Sequence, residues 1–313
     1  MQSSHIQSLF NFKRLLLGSP DLSRAIKIDN KIILDAYVIN GLKNNQIFYS
    51  APIGFNDPYE AAYQIENDFD GCSDIVKNIL KLSQLIDSSY FIKPIKPKIT
   101  TEFIEELNFN NDQLNYFSNI FADILRQYCG VLCLTPNLCS IPMWAYYGDN
   151  HQGIALEFER NDSNILGQHS FPINYIDSHP KISLSKLLAE VKHISELDDE
   201  EKIYLFKKDS EINKLFYSKH ESWEKESEWR TTSYKSGLHD YPAKLLSITF
   251  GLNTPDAAIE YVKDLMKDSD ILFKYMVADR DNFKIYPVSE SERFTKGIWT
   301  RWHPYKIDPM PEI

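Results

Sequence analysis

The chain has little glycine and contains no Gly/Ser-rich or Pro-rich linker. There are 11 glycines among 313 residues, and 43% of the residues are apolar. A prior of about 150 residues per domain allows one or two domains, and linkers between domains are typically rich in glycine, serine or proline. Because no such linker is present, we predict a single elaborated domain spanning residues 1–313.

Long apolar runs and a secretory leader are also missing. No stretch approaches the roughly 18 apolar residues that a membrane span requires. The N-terminus lacks a basic segment followed by a long apolar one. We therefore expect a cytoplasmic protein without a membrane partner.

The chain has only four cysteines, and its acidic residues outnumber its basic ones. Cys72, Cys129, Cys133 and Cys139 form neither a CxxC pair nor a dense disulfide framework, and no two histidines lie beside them at ligand spacing. We expect reduced, buried thiols and no metal site. The net charge of −10 disfavours indiscriminate binding to nucleic-acid backbones, but it leaves a local basic cleft open.

The hydrophobic pattern predicts an α+β fold. Apolar residues at helical spacing predict a helix over 31–44 and a helical insertion or cap over 59–128. Further helices are predicted over 182–225 and, after a Thr254 cap, over 254–268. Extended patterns predict strands over 46–52, 130–135, 152–159, 171–176, 228–234, 243–251 and 282–288. Because helices and strands occur in runs, the central sheet should be mixed or antiparallel.

The first unusual polar motif is FNDPYE at 55–60. Asp57 follows a predicted strand and can cap a helix by accepting backbone N–H bonds, while Pro58 suits the first helical position. Capping alone explains these two residues. It leaves Asn56 and Glu60 available for binding.

The second motif runs from 140 to 153 and leads into the strand at 154–159. Trp144, Tyr147 and His151 are spaced to lie on one side of a helical turn and its exit, which would place aromatic surfaces beside an imidazole. Such a cluster suits a planar ring. The alternative is that both aromatic residues anchor the core and His151 caps a helix end.

The third motif is KHESWEKESEWR at 219–230. In a strand, Glu226, Glu228 and Arg230 would share one face, and Ser227 and Trp229 the other. Three charges beside tryptophans are unusual for a scaffold. The alternative is a Glu–Arg ion pair that faces solvent.

These segments resemble the large bacterial family called domain of unknown function 2971. The likeness covers about residues 9–290 and is carried by LFNFK, IFYSAPIGFNDPYE, GVLCLT, MWAYYGDNHQGIALEF, PINYI and KHESWEKESEWR, in that order. The family pattern has an LYKYR-like opening, P..FNDPFE, C.S with MWxxYxxxHxG, and K..W..E.EWR. Phe10, Asn11 and Lys13 depart from the Tyr, Lys and Arg of that opening. The resemblance implies no particular chemistry.

The leading hypothesis is an NAD-dependent ADP-ribosyltransferase-like effector, acting in a toxin or phage-defence setting. That reaction passes through an oxocarbenium-like transition state, which needs a carboxylate, and it needs aromatic surfaces for nicotinamide. The known arrangement places a basic or His residue on an early strand, then a Tyr or Ser, then a Glu at the start of a late strand. This chain offers Lys13 or Arg14, then Tyr146 or Tyr147, then Glu226 or Glu228.

Under this hypothesis Glu228 is the first candidate for the catalytic carboxylate, followed by Glu226, with Tyr147 as the central residue. The expected cofactor is NAD, without metal, and the acceptor is a nucleic-acid base or a protein side chain. A toxin would also be expected to have a neutralising antitoxin. The expected ligand-binding side chains, for nicotinamide, ribose and phosphate, are Lys13, Asn56, Asp57, Trp144, His151, Trp223 and Arg230.

Two alternatives stay open from the residues alone. A metal-dependent nuclease would use Asp57, Glu157 and Glu228 for Mg²⁺, but no lysine follows two residues after Glu157. A non-catalytic module would bind a nucleotide or peptide in an aromatic cleft.

Overall fold

The computed structural model describes residues 6–13, 25–28, 32–66, 123, 125–183, 186–187, 190, 210–293 and 298–299. The chain divides into two compact units, each assembled from separate segments. Unit 1 comprises Met1–Ile47, Leu134–Leu166 and Asp240–Ile313, and unit 2 comprises Phe48–Cys133 and Gly167–His239. The single domain expected from the sequence stays a prediction.

Short strands dominate the described residues of both units. The strands are β1 (Ser8–Lys13), β2 (Ala25–Lys27), β3 (Ile33–Asp35), β4 (Gln46–Tyr49), β5 (Gln64–Glu66), β6 (Gly130–Leu134), β7 (Ile154–Glu159), β8 (Phe171–Pro172), β9 (Asn174–Ile176), β10 (Lys181–Ser183), β11 (Ser218–His220), β12 (Trp229–Ser233), β13 (Gly237–Asp240), β14 (Leu245–Phe250), β15 (Leu272–Asp279), β16 (Ile285–Val288) and β17 (Ile298–Trp299). The α-helices are α1 (Ala36–Asn44), α2 (Ile141–Tyr146), α3 (Ile165–His169), α4 (Glu211–Phe216) and α5 (Asp256–Leu265). Among the described residues, 3₁₀-helices lie at Pro52–Gly54, Glu221–Glu226 and Glu290–Glu292.

Unit 1 is built on a mixed sheet in the order β1-β7-β14-β15-β16, with β17 also paired to β15. Strand β7 is antiparallel to both β1 and β14, while β14 and β15 are parallel. A parallel pair requires a crossover, and α5 supplies it between these two strands. The predicted α+β class with a mixed central sheet is therefore confirmed.

Helix α5 begins differently from the sequence prediction. Its first turn follows Pro255, and the predicted Thr254 cap is wrong: the Thr254 hydroxyl donates instead to the Gly153 carbonyl at 3.0 Å. Ala258, Ile259 and Val262 of α5 are buried, at the spacing that places side chains on one face of a helix.

Unit 2 contains a sheet in the order β6-β12-β8 and two parallel strand pairs, β5 with β10 and β9 with β11. A buried apolar cluster accompanies these strands, and helix α4 supplies Ile212, Leu215 and Phe216 to it. All five residues of β12 are buried, and in the charged segment that precedes this strand Glu226 and Glu228 are buried as well.

Three predicted helices differ in their described parts. In the range 182–225, Glu211–Phe216 is helical as predicted, but residues 182–183 belong to β10 and Ser218–His220 forms β11, because this segment pairs with β9. In the range 31–44, residues 33–35 form β3 and the helix starts at Ala36, after Asp35 accepts the Tyr37 N–H at 3.0 Å. In the range 59–128, residues 59–61 form a turn and residues 64–66 form β5, because this segment pairs with β10. Residues 125–128 are helical as predicted, and residues 67–122 lie outside the described residues.

The cysteines only partly follow the prediction of buried thiols. Cys129 is buried, Cys133 is partly buried and Cys139 is exposed, all as thiols, and Cys72 lies outside the described residues. Within the described ranges, no helix is both long and apolar enough to cross a membrane.

Candidate functional site

The third sequence motif folds into a strand, a 3₁₀-helix and a second strand. Between the 3₁₀-helix and β12, Ser227 adopts a left-handed conformation with φ 47°. A non-glycine residue pays about 1–2 kcal/mol for that conformation. The turn allows Glu226 and Glu228, on either side of Ser227, to reach the same lysine.

That lysine is Lys219, in β11. Its ammonium donates to Glu226 at 2.6 Å and to Glu228 at 3.2 Å. It also lies 4.6 Å from the centroid of the Trp223 ring, a cation–π distance. Two carboxylates and one aromatic ring therefore surround a single positive charge.

Arg230, in β12, uses all five of its N–H donors. The Nε–H group and one N–H group of Nη2 donate to Glu228, at 2.7 and 3.3 Å. One N–H group of Nη1 and the other N–H group of Nη2 donate to Glu60, at 2.5 and 3.0 Å. The second N–H group of Nη1 donates to the Phe216 carbonyl at 2.6 Å. The guanidinium is fixed from every direction in its plane.

We call Glu60, Lys219, Glu226, Glu228 and Arg230 the charge network. Their exposed fractions range from 0% for Arg230 to 8% for Glu60. Charges buried this deeply are tolerated only when paired and hydrogen-bonded. The solvent-facing ion pair considered from the sequence is thus a buried one.

Electrostatics keep Glu228 and Lys219 ionised. Burial alone would raise the pKa of Glu228, but the charges of Arg230 and Lys219 and their hydrogen bonds outweigh it and lower that pKa to about 2. Burial would lower the pKa of Lys219, yet the carboxylates of Glu228 and Glu226 raise it. Glu228 is therefore an anion and Lys219 a cation at physiological pH.

Two neutral groups complete the surroundings of Glu228. The Cys133 thiol hydrogen bonds its carboxylate, and burial together with that negative charge raises the pKa of the thiol well above its ordinary value. The Tyr175 hydroxyl accepts the Glu228 N–H at 2.8 Å, and burial raises the pKa of Tyr175 to about 12. Neither group is poised as a nucleophile at neutral pH.

The first motif contributes to this network through Glu60 and through the Phe55 ring, whose centroid is 5.5 Å from the Arg230 guanidinium carbon. Asp57 accepts the Tyr59 N–H at 2.9 Å, as expected for a capping residue, although a turn follows it here. Asn56 is exposed. The motif therefore supplies one network carboxylate and one ring that covers Arg230.

The second motif and Lys13 belong to unit 1. Trp144 in α2 is 0% exposed, its Nε1–H donates to the Leu138 carbonyl at 2.8 Å, and its ring meets Phe12 edge-on at 4.9 Å. These contacts correspond to the core-anchor alternative. Tyr147 is half-buried, and Lys13 is half-buried at the end of β1.

His151 ends a run of three left-handed residues. The φ angles of Asp149, Asn150 and His151 are 53°, 54° and 66°. Burial lowers the pKa of His151, and its Nδ1 is buried without a hydrogen-bond partner among the described residues. The neutral imidazole is therefore favoured, in a strained turn between α2 and β7.

Metal ligation was tested on the carboxylates. In the part of the chain that the structure describes, no group of three or more His, Cys, Asp or Glu side chains is placed to hold a metal ion. Glu157 accepts hydrogen bonds from Ser247 and from Lys274, the latter at 2.7 Å. Glu157 is therefore the ion-pair partner of Lys274 within the sheet of unit 1.

Sequence reasoning named Glu226, Glu228 and Arg230 but did not assign a role to Lys219, which joins the two glutamates. A signal was present, because a segment that buries two glutamates and only one arginine requires a further cation. Tyr175 and Cys133 had no comparable signal, since both lie on strands far away in the sequence.

The comparison with protein families gives one match. Residues 143–231 match the family model described as protein of unknown function (DUF2971). This confirms the resemblance over a range that contains most of the second motif, all of the third, and four of the five network residues. Comparisons with curated proteins and with solved structures found no match.

Proposed function

We propose, from the charge network around Glu228, that the chain is an ADP-ribosyltransferase-like enzyme that uses NAD. Glu228 is the first candidate for the catalytic carboxylate, and Glu226 is the second. Trp223 takes the role of the aromatic surface, because it is partly exposed and lies beside Lys219, the lysine that contacts both glutamates. Trp144 does not take this role, because it is enclosed in the core of unit 1.

The observation that carries the proposal is a carboxylate held ionised in a nearly dry environment. Cleavage of the bond between nicotinamide and ribose develops positive charge on the ribose ring, and a fixed anion in a low-dielectric site stabilises that charge far better than water does. Glu228 is 4% exposed, and its pKa of about 2 keeps it anionic. Arg230 orients it through two hydrogen bonds.

The cost of the arrangement supports a functional role. Replacing a buried ionic network by apolar residues is often neutral or stabilising, so such a network is a poor means of stabilising a fold. The left-handed Ser227 adds backbone strain between the two glutamates. Perturbed carboxylates and strained backbone together are typical of functional sites.

A non-catalytic binding module is the second candidate, and the hydrogen bonding of Glu228 favours it. One carboxylate oxygen accepts from Arg230 Nε, and the other accepts from both Lys219 and Arg230 Nη2. A carboxylate with these partners orients a cleft without taking part in turnover. The two candidates differ in whether NAD is consumed.

The experiment is to incubate the purified protein with adenylate-labelled NAD and cell extract in the presence of EDTA. We expect transferred label or released nicotinamide with the unchanged protein. Glu228→Gln, which removes the charge and keeps the shape, should lower the rate about 100-fold or more. Glu224→Gln is the matched control, because Glu224 is exposed in the same 3₁₀-helix.

The outcomes separate the candidates. Turnover that survives in Glu228→Gln would move the catalytic role to Glu226, and Glu226→Gln tests this. NAD binding by calorimetry without turnover in any protein would establish the binding module. Absence of both binding and turnover would reject both candidates.

A further inference from the structure

The turn that carries Glu60 into the charge network has a strained backbone. Ala61, the next residue, is left-handed with φ 54° and is 2% exposed. Alanine pays free energy for this conformation, so it persists only where the surroundings hold it. Two hydrogen bonds flank it, from the Glu60 N–H to the Asp57 carbonyl at 3.2 Å and from the Ala62 N–H to the Tyr59 carbonyl at 2.9 Å. Neither bond uses a group of Ala61 itself.

Arg126 makes the contact that holds Ala61. Its Nη2 donates to the Ala61 carbonyl at 2.6 Å, across 65 residues of chain. Its Nη1 donates to Asp123 at 2.8 Å, and the Asp123 side chain is 52% exposed. Because an exposed ion pair contributes little, the bond to Ala61 is the one that ties Arg126 to buried structure.

The placement of the Arg126 guanidinium is itself costly. Its Nε is buried and has no hydrogen-bond partner among the described residues. A buried donor without a partner costs free energy, so an arginine here is a poor means of gaining stability alone. A strained alanine and an arginine with an unpaired donor meet at one hydrogen bond, which indicates a requirement for this local geometry.

The contact leads from Arg126 to Glu228 through the backbone and one guanidinium. The residue that precedes Ala61 is Glu60, which accepts from Arg230 at 2.5 and 3.0 Å. Another edge of the same guanidinium donates to Glu228 at 2.7 and 3.3 Å. Because paired bonds to a planar guanidinium require alignment, a shift of Glu60 would turn Arg230 and, with it, the carboxylate of Glu228.

We propose that Arg126 is a positioning residue for the charge network and acts by holding Ala61 left-handed. This conformation aims the Glu60 carboxylate at Arg230. The link from Arg126 to Arg230 rests on the geometry, whereas its consequence for catalysis rests on the proposed function.

The first test needs no ligand. The Arg230 Nε–H is buried and hydrogen-bonded, so its exchange with solvent should be slow when followed by proton–nitrogen NMR, and Arg230→Lys identifies its signal by loss. Arg126→Met keeps the length of the side chain and removes its donors. It should accelerate the Arg230 exchange about tenfold, the factor for one lost hydrogen bond. The backbone amides of β12 should stay slow, and their equal acceleration, or an unchanged Arg230 exchange, would overturn the positioning role.

A glycine substitution gives the sharper test. Glycine adopts the left-handed conformation without penalty, so Ala61→Gly added to Arg126→Met should restore most of the slow Arg230 exchange. A double variant that exchanges as fast as Arg126→Met alone would contradict the proposal. If circular dichroism shows that Arg126→Met folds poorly, Arg126→Lys replaces it. That variant keeps the charge and one donor for the carbonyl, so it should accelerate the exchange less, and Ala61→Gly should again reverse the effect.

Arg160 provides the matched control. It is also partly buried and donates to a carbonyl, that of Ile6 at 3.5 Å, but it belongs to unit 1. Arg160→Met should leave the Arg230 exchange unchanged. An acceleration as large as that of Arg126→Met would show that loss of any such arginine loosens the network, which contradicts a specific role for Arg126.

Turnover separates this inference from the proposed enzyme. If NAD is consumed, Arg126→Met should lower kcat about tenfold with little change in KM, and Ala61→Gly should restore it. Faster Arg230 exchange that glycine reverses, without turnover in any protein, would support the positioning role and reject the enzyme. Turnover with an unchanged Arg230 exchange in Arg126→Met would support the enzyme and reject the positioning role.

Discussion

Arg230 has no exposed surface, and its charge is compensated by two glutamates from different parts of unit 2. Arg230→Ala would leave Glu60 and Glu228 buried without their partner, and breaking a buried pair in this way costs about 3–5 kcal/mol. Arg230→Lys should cost less, because it keeps the charge but loses the planar fork. Urea unfolding followed by tryptophan fluorescence measures both.

The control for Arg230 is an exposed ion pair. Lys267 and Asp264 are 3.2 Å apart, with exposed side-chain fractions of 63% and 79%. Lys267→Ala should change the free energy of unfolding by less than about 1 kcal/mol. If Arg230→Ala costs no more than Lys267→Ala, the network is not a closely coupled unit.

Glu228 links the stability of the fold to acid. Its folded pKa of about 2 lies below the ordinary value of 4.5, so its contribution is complete above about pH 4.5 and is lost as the pH falls toward 2. A shift of that size corresponds to about 3 kcal/mol. Glu228→Gln should flatten the decline of the unfolding free energy between roughly pH 5 and pH 2, whereas Glu224→Gln should retain it.

At the scale of secondary-structure elements, the turn between the 3₁₀-helix and β12 offers a sharp test. Ser227 has φ 47°, a conformation that glycine adopts without penalty. Ser227→Gly should therefore change the unfolding free energy by about 1 kcal/mol or less, in either direction, because glycine also gains unfolded-state freedom. Ser227→Val should destabilise by more than that. Thermal unfolding ranks the three proteins, and equal midpoints for valine and glycine would show that the turn relaxes.

The elements also show which sequence signals were sufficient. Strands β7 and β14 were predicted because the apolar pattern that marks each strand lies within its own residues. Strand β5 was not, because its extended conformation depends on parallel pairing with β10, more than a hundred residues later. Local periodicity carries no information about such a partner.

In the candidate site, too, the sequence indicated some residues and not others. Alternation along the third motif predicted that Glu226, Glu228 and Arg230 share one face of a strand, but of these only Arg230 lies in β12. Glu226 ends the 3₁₀-helix, and the left-handed Ser227 brings both glutamates to Lys219. Lys219 was missed because the intervening 3₁₀-helix folds its strand back toward them, and a 3₁₀-helix has no strong sequence signature. Trp144 was expected at a ligand because its motif is aromatic, yet burial in a core uses the same residue type.

At the scale of the whole molecule, the course of the chain bears on how it unfolds. The chain leaves unit 1 after Ile47, returns at Leu134, leaves again after Leu166 and returns at Asp240. Neither unit is one continuous segment, so each must close loops that contain parts of the other, and each closure costs entropy. We therefore predict that the two units unfold together, which the single-domain prediction requires.

Native-state hydrogen exchange in increasing urea tests that prediction, because it reports an opening free energy for each amide. Backbone amides of β7 in unit 1 and of β12 in unit 2 both lie in buried strands and should report the slowest openings of their units. If the chain unfolds as one domain, both sets should converge on one free energy and one urea dependence. Arg230→Ala should then lower both sets equally. Two separate limits, with only β12 responding to Arg230→Ala, would instead establish two independently unfolding units.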